Sequence, residues 1–488
     1  MQEQKIEEKK EEWKKEDYKK IRDKVLQIFA YDKKRASEIV VQEILKHEYI
    51  YSTRDDINSE MWIYKEGVYI PQGKSFLKEI CRKILGEFFH RTFNNYVIDK
   101  IEADTSIDQD IFFNSNYENE IPVINGILNI KTKKLKPFDP TKIFFNKINA
   151  EYKPNMQCPK IKKFLLEILP NEEDNKVIFE IGGFALLNEY IYEKAFMFVG
   201  DGRNGKSKLL TLFKEFFNPK NCCAVPLVSL LPNSFNLSEL FGKRINLAGD
   251  ISYEALKDTS VFKSCTGRDK IQAHRKFKSD ICFENNAKFV FSCNNLPMVY
   301  DTSTGFWDRW ILLEFPYLFK TAEEIKLATE EEQKIMKLKD DNIISRILSP
   351  EELSGLLNEF LAGLDRLTAN KKFSSTRGSQ AIKDLWIRKA NSFLAFALDF
   401  IIEDSQHLMK KSELRLKYSH WCKENKVKPK TDKDILRILQ ENFGASEERR
   451  IMSTGRLLDY GDKKIEEKEQ THVWEGINWK PEKEEKKL

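Results

Sequence analysis

The stretch "FVGDGRNGKSKLLTLF", Phe198–Phe213, constrains the fold of this 488-residue chain more than any other. Gly200 to Ser207 satisfies the pattern G-x-x-x-x-G-K-[S/T] at every fixed position. The apolar run Ala195–Val199 predicts a strand that delivers the loop, and "KSKLLTLFKEFF" has the period of a helix that follows it. A strand, a glycine loop and a helix in that order bring backbone N–H groups and a helix N-terminus to an anion. Gly200, Gly202, Asn204 and Gly205 line the expected cradle of a nucleoside triphosphate. Lys206 supplies a cation for the β- and γ-phosphates and Ser207 a hydroxyl for Mg2+. The loop by itself leaves three tasks open: transfer to a small molecule, a switch, or movement along a polymer.

Around the loop, apolar strands alternate with helical patterns, which predicts an α/β core. The further strands are Arg244–Ala248, Lys288–Cys293 and Trp310–Phe315. Asp250 follows the first of these and is the carboxylate expected to hold Mg2+, directly or through water, with Glu254 near enough to share the work. On spacing alone, any surface aspartate after a strand looks the same. Asn294 ends the second strand, where an amide can orient an attacking water; Asn295 and Pro297 equally favour a plain asparagine turn. Arg309 precedes the third, either facing solvent or reaching a neighbour's nucleotide site as a finger.

Composition narrows the class. Hydrophobic residues make up 41% and charged residues 33%, as in a soluble globular protein. The net charge of +5 is too small to argue for nucleic acid, which would need local basic patches. No apolar run reaches the roughly 18–20 residues of a membrane span, and the charged start lacks a signal-peptide core, so the expected location is cytoplasmic, with no membrane partner. None of the eight cysteines forms a C-x-x-C pair, which points to reduced thiols and no zinc site.

Texture divides the chain into three expected domains: a mixed α+β domain over 1–185, the α/β core over 186–380, and a C-terminal domain over 381–488. In the first, "MWIYKEGVYIPQG" reads as two strands about a Lys65–Gly67 turn, and "IPVINGILNIKTKKLKPFDP" as another pair. Two amphipathic helices break at Pro170. The last domain shows three helical patterns, then strand-like pieces near Arg450 and Val473–Ile477, with Thr431 as an N-cap.

Taken in order, "GDGRNGKS", "GKRINLAGDIS", "FKSCTGRDKIQAHRKF", "AKFVFSCNNLP" and "GFWDRWILLEF" resemble the superfamily 3 helicases. The likeness is strongest to the phage and plasmid primase–helicase family that includes the poxvirus-type NTPase-primase, and it spans roughly residues 50–480. The resemblance implies an AAA+-like P-loop ATPase that uses ATP and Mg2+, assembles as a hexameric ring and pulls on DNA. It gives Lys206 and Ser207 the Walker A roles, Asp250 the Walker B position, Asn294 the polar sensor, and Arg309 the finger acting on the neighbouring subunit. The 1–185 domain then corresponds to a collar for oligomerisation. Residues 263–277 match a segment that leads into a basic hairpin facing the channel. There His274, Arg275, Lys276 and Lys278 surround Phe277, a composition suited to single-stranded DNA or equally to a solvated hairpin.

Three departures from the family pattern stand out. Thr266-Gly267-Arg268-Asp269 replaces Thr-Gly-Gly-Asp, Asp308 precedes Arg309 where the family carries a second arginine, and Asp250 stands alone. Residues 1–120 contain "DTSIDQD", but it sits among polar turn residues rather than at the end of a buried apolar strand, so a helicase without primase is expected, with a separate primase or polymerase as a partner. Residues 385–480 resemble a winged helix, with Asp432–Phe443 in a groove and Lys428, Lys430, Lys433, Arg437, Arg449, Arg450 and Arg456 on phosphates. A helical bundle that touches no DNA is the alternative there. The implied function is an ATP-driven replicative helicase of a virus, plasmid or integrated element, acting on forked duplex with a single strand in its channel. A replication initiator and a small-molecule kinase remain as competing readings.

Overall fold

The fold was analysed in a computed structural model. The structure describes residues 13, 15–55, 59–115, 117, 119–232, 234–249, 256, 258–275, 280–299, 301, 303–425, 427, 429–460 and 463–481, with backbone only at 15, 453–460 and 463–469. Contacts divide the chain into two compact units. One comprises Met1–Ile251, Asp258–Asn294 and Asp308–Thr376; the other comprises Ser252–Lys257, Asn295–Trp307 and Arg377–Leu488.

The first unit opens with α1 (Lys15–Phe29) and α2 (Lys33–His47), the latter capped by Asp32, whose carboxylate accepts from Arg35 N. β1 (Ile50–Thr53), β2 (Met61–Lys65) and β3 (Val68–Pro71) pair antiparallel in sequence. The β2–β3 turn is the expected one: Glu66 and Gly67 both take positive φ, +46° and +95°, as a two-residue hairpin turn requires. α3 (Gly73–Leu85) and α4 (Arg91–Asp104) follow, and β4 (Ser106–Ile107) adds parallel to β1. Val25, Val40, Ile44, Leu77, Ile84, Phe93 and Val97 from the four helices form one sealed core. In "DTSIDQD", Asp108 caps the short helix α5 (Gln109–Phe113) by accepting from Asp110 N.

β5 (Glu120–Val123), β6 (Gly126–Asn129) and β7 (Lys134–Lys136) form an antiparallel meander, one strand more than the sequence pattern suggested. α6 (Pro159–Ile168) and α7 (Glu172–Ala185) flank Pro170, as expected. α7 packs on the long helix Pro350–Asn370 at glycine contacts. A Cβ on Gly183 would lie 2.4 Å from the Phe360 carbonyl oxygen, and one on Gly363 2.5 Å from that of Phe179. Glu180 is fully buried at this seam, where Arg366 Nε (2.7 Å) and Ser374 N (2.8 Å) satisfy it.

The central sheet contains β8 (Ala195–Val199), β9 (Cys222–Cys223), β10 (Ile245–Ala248), β13 (Lys288–Cys293) and β14 (Trp310–Glu314), in the order β14-β8-β13-β10-β9. Every pairing is parallel. β8, β10 and β13 are buried at every position, which explains their largely apolar sequences, broken only by the buried Asn246, Lys288 and Ser292. The four anticipated strands are all present, with Arg244 and Phe315 just outside them. α8 (Lys206–Phe217) follows β8. α9 (Ser260–Thr266) and the antiparallel hairpin of β11 (Lys270–Ala273) and β12 (Ile281–Glu284) lie between β10 and β13 in the chain.

The second unit has its own core of Phe393, Phe396, Tyr418, Leu439, Trp474 and Ile477. Four helices, Ser379–Ala390, Ser392–Phe400, Lys411–Glu424 and Asp432–Phe443, accompany a three-stranded antiparallel sheet. Its middle strand, Lys463–Trp479, pairs with Ile401–Lys410 on one side and Ser446–Tyr460 on the other. Thr431 caps its helix by accepting from Asp434 N, as its sequence position suggested. The strand Ile401–Lys410 escaped the pattern because "EDSQH" interrupts its apolar ends, and the pairing slips between Asp404 and Leu408.

Candidate nucleotide site

Sheet register determines what surrounds the glycine loop. Cys293 and Glu314 both pair with Val199, so β13 and β14 end beside the point where β8 enters the loop. Gly200 packs so closely that a Cβ there would sit 2.5 Å from the Phe315 carbonyl oxygen. Gly205 caps α8 with φ +90°, and a Cβ on it would meet Ile168 Cγ2 at 2.5 Å. Glycine is therefore required at 205 on two counts, backbone conformation and space. Gly202 faces open space.

Lys206 is only 4% exposed despite its charge. Its Nζ donates to the Gly200 carbonyl, to Asp201 O (3.4 Å), to Asn204 Oδ1 (3.1 Å) and to Asn294 Oδ1 (3.2 Å). Two of the anticipated site residues, 88 positions apart in the chain, thus meet directly. Asn204 is buried as well, and among the described residues its Nδ2 has no hydrogen-bond partner, a costly state for a buried amide. Ser207 is exposed at the first turn of α8. Asp250 and Glu254 lie outside the described residues; the described part of β10 ends beside β13 with Ala248 opposite Phe291.

A cavity of about 530 Å³ adjoins Asn204, Gly205 and Ser207. Phe164, Ile168, Phe319 and Ile343 give it an apolar wall. Sequence reasoning missed the part contributed by residues 318–343. Phe319 N donates to Arg203 O (2.8 Å), and Arg203 pairs with Glu324 at 2.9 Å, which ties this segment to the loop. A signal for it existed: Thr321 and Glu324 form a full capping box, legible as T-x-x-E. The Thr321 backbone N–H, then Lys320, holds the Glu324 carboxyl down at about 2.

Arg309 is not brought to the loop of its own chain. It precedes β14 at the opposite end of the sheet, where its carbonyl accepts from Ala195 N (2.7 Å). The guanidinium donates to Thr266 Oγ1 (2.8 Å) and pairs with Glu193 at 2.7 Å, leaving the side chain 14% exposed. Arg268 adopts φ +63°, a left-handed conformation that favours glycine, at the site where the sequence departs from Thr-Gly-Gly-Asp.

Of the basic segment 274–278, His274 and Arg275 directly follow β11. His274 contacts Asp280 (2.9 Å), and Arg275 pairs with Glu60 at 2.7 Å with both side chains largely buried. Lys276, Phe277 and Lys278 lie outside the described residues. In the second unit Lys428 does too, and the Arg456 side chain is not described. Among the described residues no helix is long and apolar enough to cross a membrane, and no group of three or more His, Cys, Asp or Glu side chains is arranged to hold a metal ion.

Comparison with known proteins gives matches along most of the first unit. Residues 5–170 match the family model described as D5 N terminal like, and residues 198–309 match a family of unknown function (DUF5906). The chain is 25% identical over 300 residues to the "Putative helicase L207/L206" of Acanthamoeba polyphaga mimivirus, a span of 58% of this chain and 30% of that protein. It is 23% identical over 253 residues to the "Putative helicase V13" of Sputnik virophage, covering 49% of this chain and 31% of that one. It therefore spans under a third of the length of either relative. Among solved structures, the apo A form of the NrS-1 C-terminal region is 15% identical with a TM-score of 0.44, covering 83% of this chain and 86% of that one. The sequence matches show homology to the D5-like primase–helicase superfamily.

Proposed function

We propose that the chain is an ATP-hydrolysing helicase motor with an AAA+-like core, which assembles as a hexameric ring and moves on DNA.

 The observation that carries this is the direct contact of Lys206 Nζ with Asn294 Oδ1 at the mouth of the glycine loop. A loop lysine beside a polar side chain on the adjacent strand suits a site that both grips a γ-phosphate and orients a water against it. A small-molecule kinase has no need of that second group. Homology to viral helicases supports the same direction.

The residues fit ATP with Mg2+. The Asn204 Nδ2, without a partner among the described residues, the open space at Gly202 and the exposed Ser207 offer polar groups and room at the N-terminus of α8. The apolar wall of Phe164, Ile168 and Phe319 suits a base. Ser207 and Asp250 would hold Mg2+, which supplies neutralisation of phosphate charge. Lys206 balances the remaining negative charge, Asn294 orients the attacking water, and Arg309 acts on the site of the next subunit. The basic hairpin, with His274, Arg275, Lys276 and Lys278, faces the strand in the channel, and the second unit serves as a winged-helix-like DNA-binding domain. The domain division is 1–185, 186–380 and 381–488, with the first as the collar.

The test is unwinding of a forked duplex by the full chain with ATP, alongside electron microscopy with an ATP analogue. Strand displacement that Lys206→Ala abolishes, on ring-shaped particles, is expected. Site-specific duplex binding with ATP but without displacement would replace the motor with an initiator.

A further inference from the structure

A second cavity, of about 560 Å³, opens at the other rim of the central sheet. Arg244 directly precedes β10 and Asn286 lies two residues before β13, whereas Lys206 and Asn294 lie beyond the C-terminal ends of their strands. Four to six residues of strand therefore separate the two cavities, roughly 13–20 Å.

Arg244 lines this cavity and is 3% exposed. Its guanidinium donates to Asn146 Oδ1 and to Leu186 O (2.9 Å), and among the described residues no carboxylate pairs with it. Behind it Lys288 is fully buried, donating to the carbonyls of Leu187 (2.7 Å) and Asn286 (2.8 Å). Two buried cations without a buried anion are an expensive arrangement for folding alone. The nearby Glu189 is 43% exposed and faces Arg268 at 3.7 Å. Burial lowers the affinity of both cations for their protons, Arg244 to about 10.

The facing wall is aromatic. Phe241 meets Phe113 and Phe283 edge-on, with ring centroids 5.2 and 5.3 Å away, and Phe113 and Phe241 are only partly buried. Arg268 and Lys270 add cations at the rim. Arg268 holds its place there in a left-handed backbone conformation, φ +63°, that its long, exposed pairing with Glu189 does little to offset.

We propose that this cavity binds a nucleoside phosphate, its phosphate on Arg244 and its base against Phe241 and Phe113. Flat rings beside buried cations recognise that combination, and a lone inorganic anion would leave the aromatic wall unused. A free nucleotide and one unit of a single strand present the same chemistry. The proposal goes beyond the loop site and does not depend on it.

The test uses the full chain carrying Lys206→Ala, which weakens the loop site. Its probes are a fluorescent adenosine monophosphate and a labelled twelve-nucleotide oligothymidylate. Arg268→Gly relieves the backbone while removing a rim cation, so its thermal midpoint should hold or rise as probe binding weakens about tenfold. Lys270→Glu, at an exposed position, should weaken binding by a similar factor. Displacement of the nucleotide by unlabelled oligothymidylate identifies the strand as the ligand; no displacement identifies the free nucleotide. Failure of both probes to bind the parent, or binding by both variants within about twofold of it, overturns the proposal.

Discussion

Asn294→Ala separates the two jobs that the structure allows this side chain. Its Oδ1 is one of four acceptors around Lys206 Nζ, so the variant leaves the Gly200 and Asp201 carbonyls and Asn204 Oδ1 in place. A hydrogen bond to a charged group contributes about 1.5–3 kcal/mol, and three surviving acceptors keep the loss of stability near the lower figure. Orientation of the attacking water is read on a different axis. Removing one polar group that acts in the transition state costs about 10²–10³ in turnover, or about 2.7–4 kcal/mol. ATP turnover should therefore fall about a hundredfold while the apparent affinity for nucleotide moves by less than about threefold. Phosphate release measured across ATP concentrations, with single-stranded DNA present, reports both quantities, and urea unfolding reports stability. Turnover within about threefold of wild type would refute the water-orienting role. Equal losses of affinity and turnover would mean that Asn294 acts only by holding Lys206.

Three further predictions follow from separate parts of the molecule. If the ATP site is shared between chains, an equimolar mixture of inactive Lys206→Ala and inactive Arg309→Ala proteins should regain about a quarter of wild-type turnover, the chance of pairing intact partners; no recovery counts against sharing. Lys288 is charged less readily when folded, through burial first and the Arg244 charge second. The unfolded chain then binds more protons between that lowered value and about 10.4, so this residue makes stability rise with pH through that window. Urea midpoints of wild type relative to Lys288→Met should climb from pH 8 towards pH 10; parallel profiles would contradict the assignment. Gly183→Ala drives a Cβ against two backbone atoms, Phe360 O at 2.4 Å and Leu364 N at 2.7 Å, and should cost at least about 1–3 kcal/mol in urea unfolding. Gly202→Ala, which meets nothing within 4 Å, should stay within about 0.5 kcal/mol of wild type.

The parts of the fold legible in sequence are those where one local rule decides. Strands buried on both faces show as apolar runs, so β8, β10, β13 and β14 were found almost to the residue. The Glu66–Gly67 turn, the break at Pro170 and the Thr431 cap follow from equally local chemistry. What escaped depends on partners distant in the chain. β7 is exposed at all three positions and exists by pairing with β6; Ile401–Lys410 exists by pairing with Lys463–Trp479. In the site, Lys206 and Asn294 were legible singly, but no periodicity shows that their side chains touch. The cavity behind Arg244 was invisible for the same reason, since its lining comes from separated segments on either side of the loop.

Arg309 ties the catalytic reading to an assembly. It stands at the start of β14 beside Ala195, while the glycine loop begins past Val199, which pairs with Glu314. Five strand residues lie between, about 17 Å, further than an arginine side chain extends. Thr266 and Glu193 hold its guanidinium on that far rim. Within one chain, then, Arg309 is a structural residue joining α9 to the start of the sheet. For it to meet a nucleotide, the loop rim of a second copy must pack against this chain's opposite rim. Such a contact uses two different surfaces, so it is head-to-tail, and it closes into a ring where the rotation between copies permits and otherwise continues as a filament. A two-fold dimer that pairs Arg309 rims together leaves both arginines away from both loops. A catalytic Arg309 and a head-to-tail contact are therefore one claim, which the mixing experiment tests, while electron microscopy distinguishes a closed ring from an open filament.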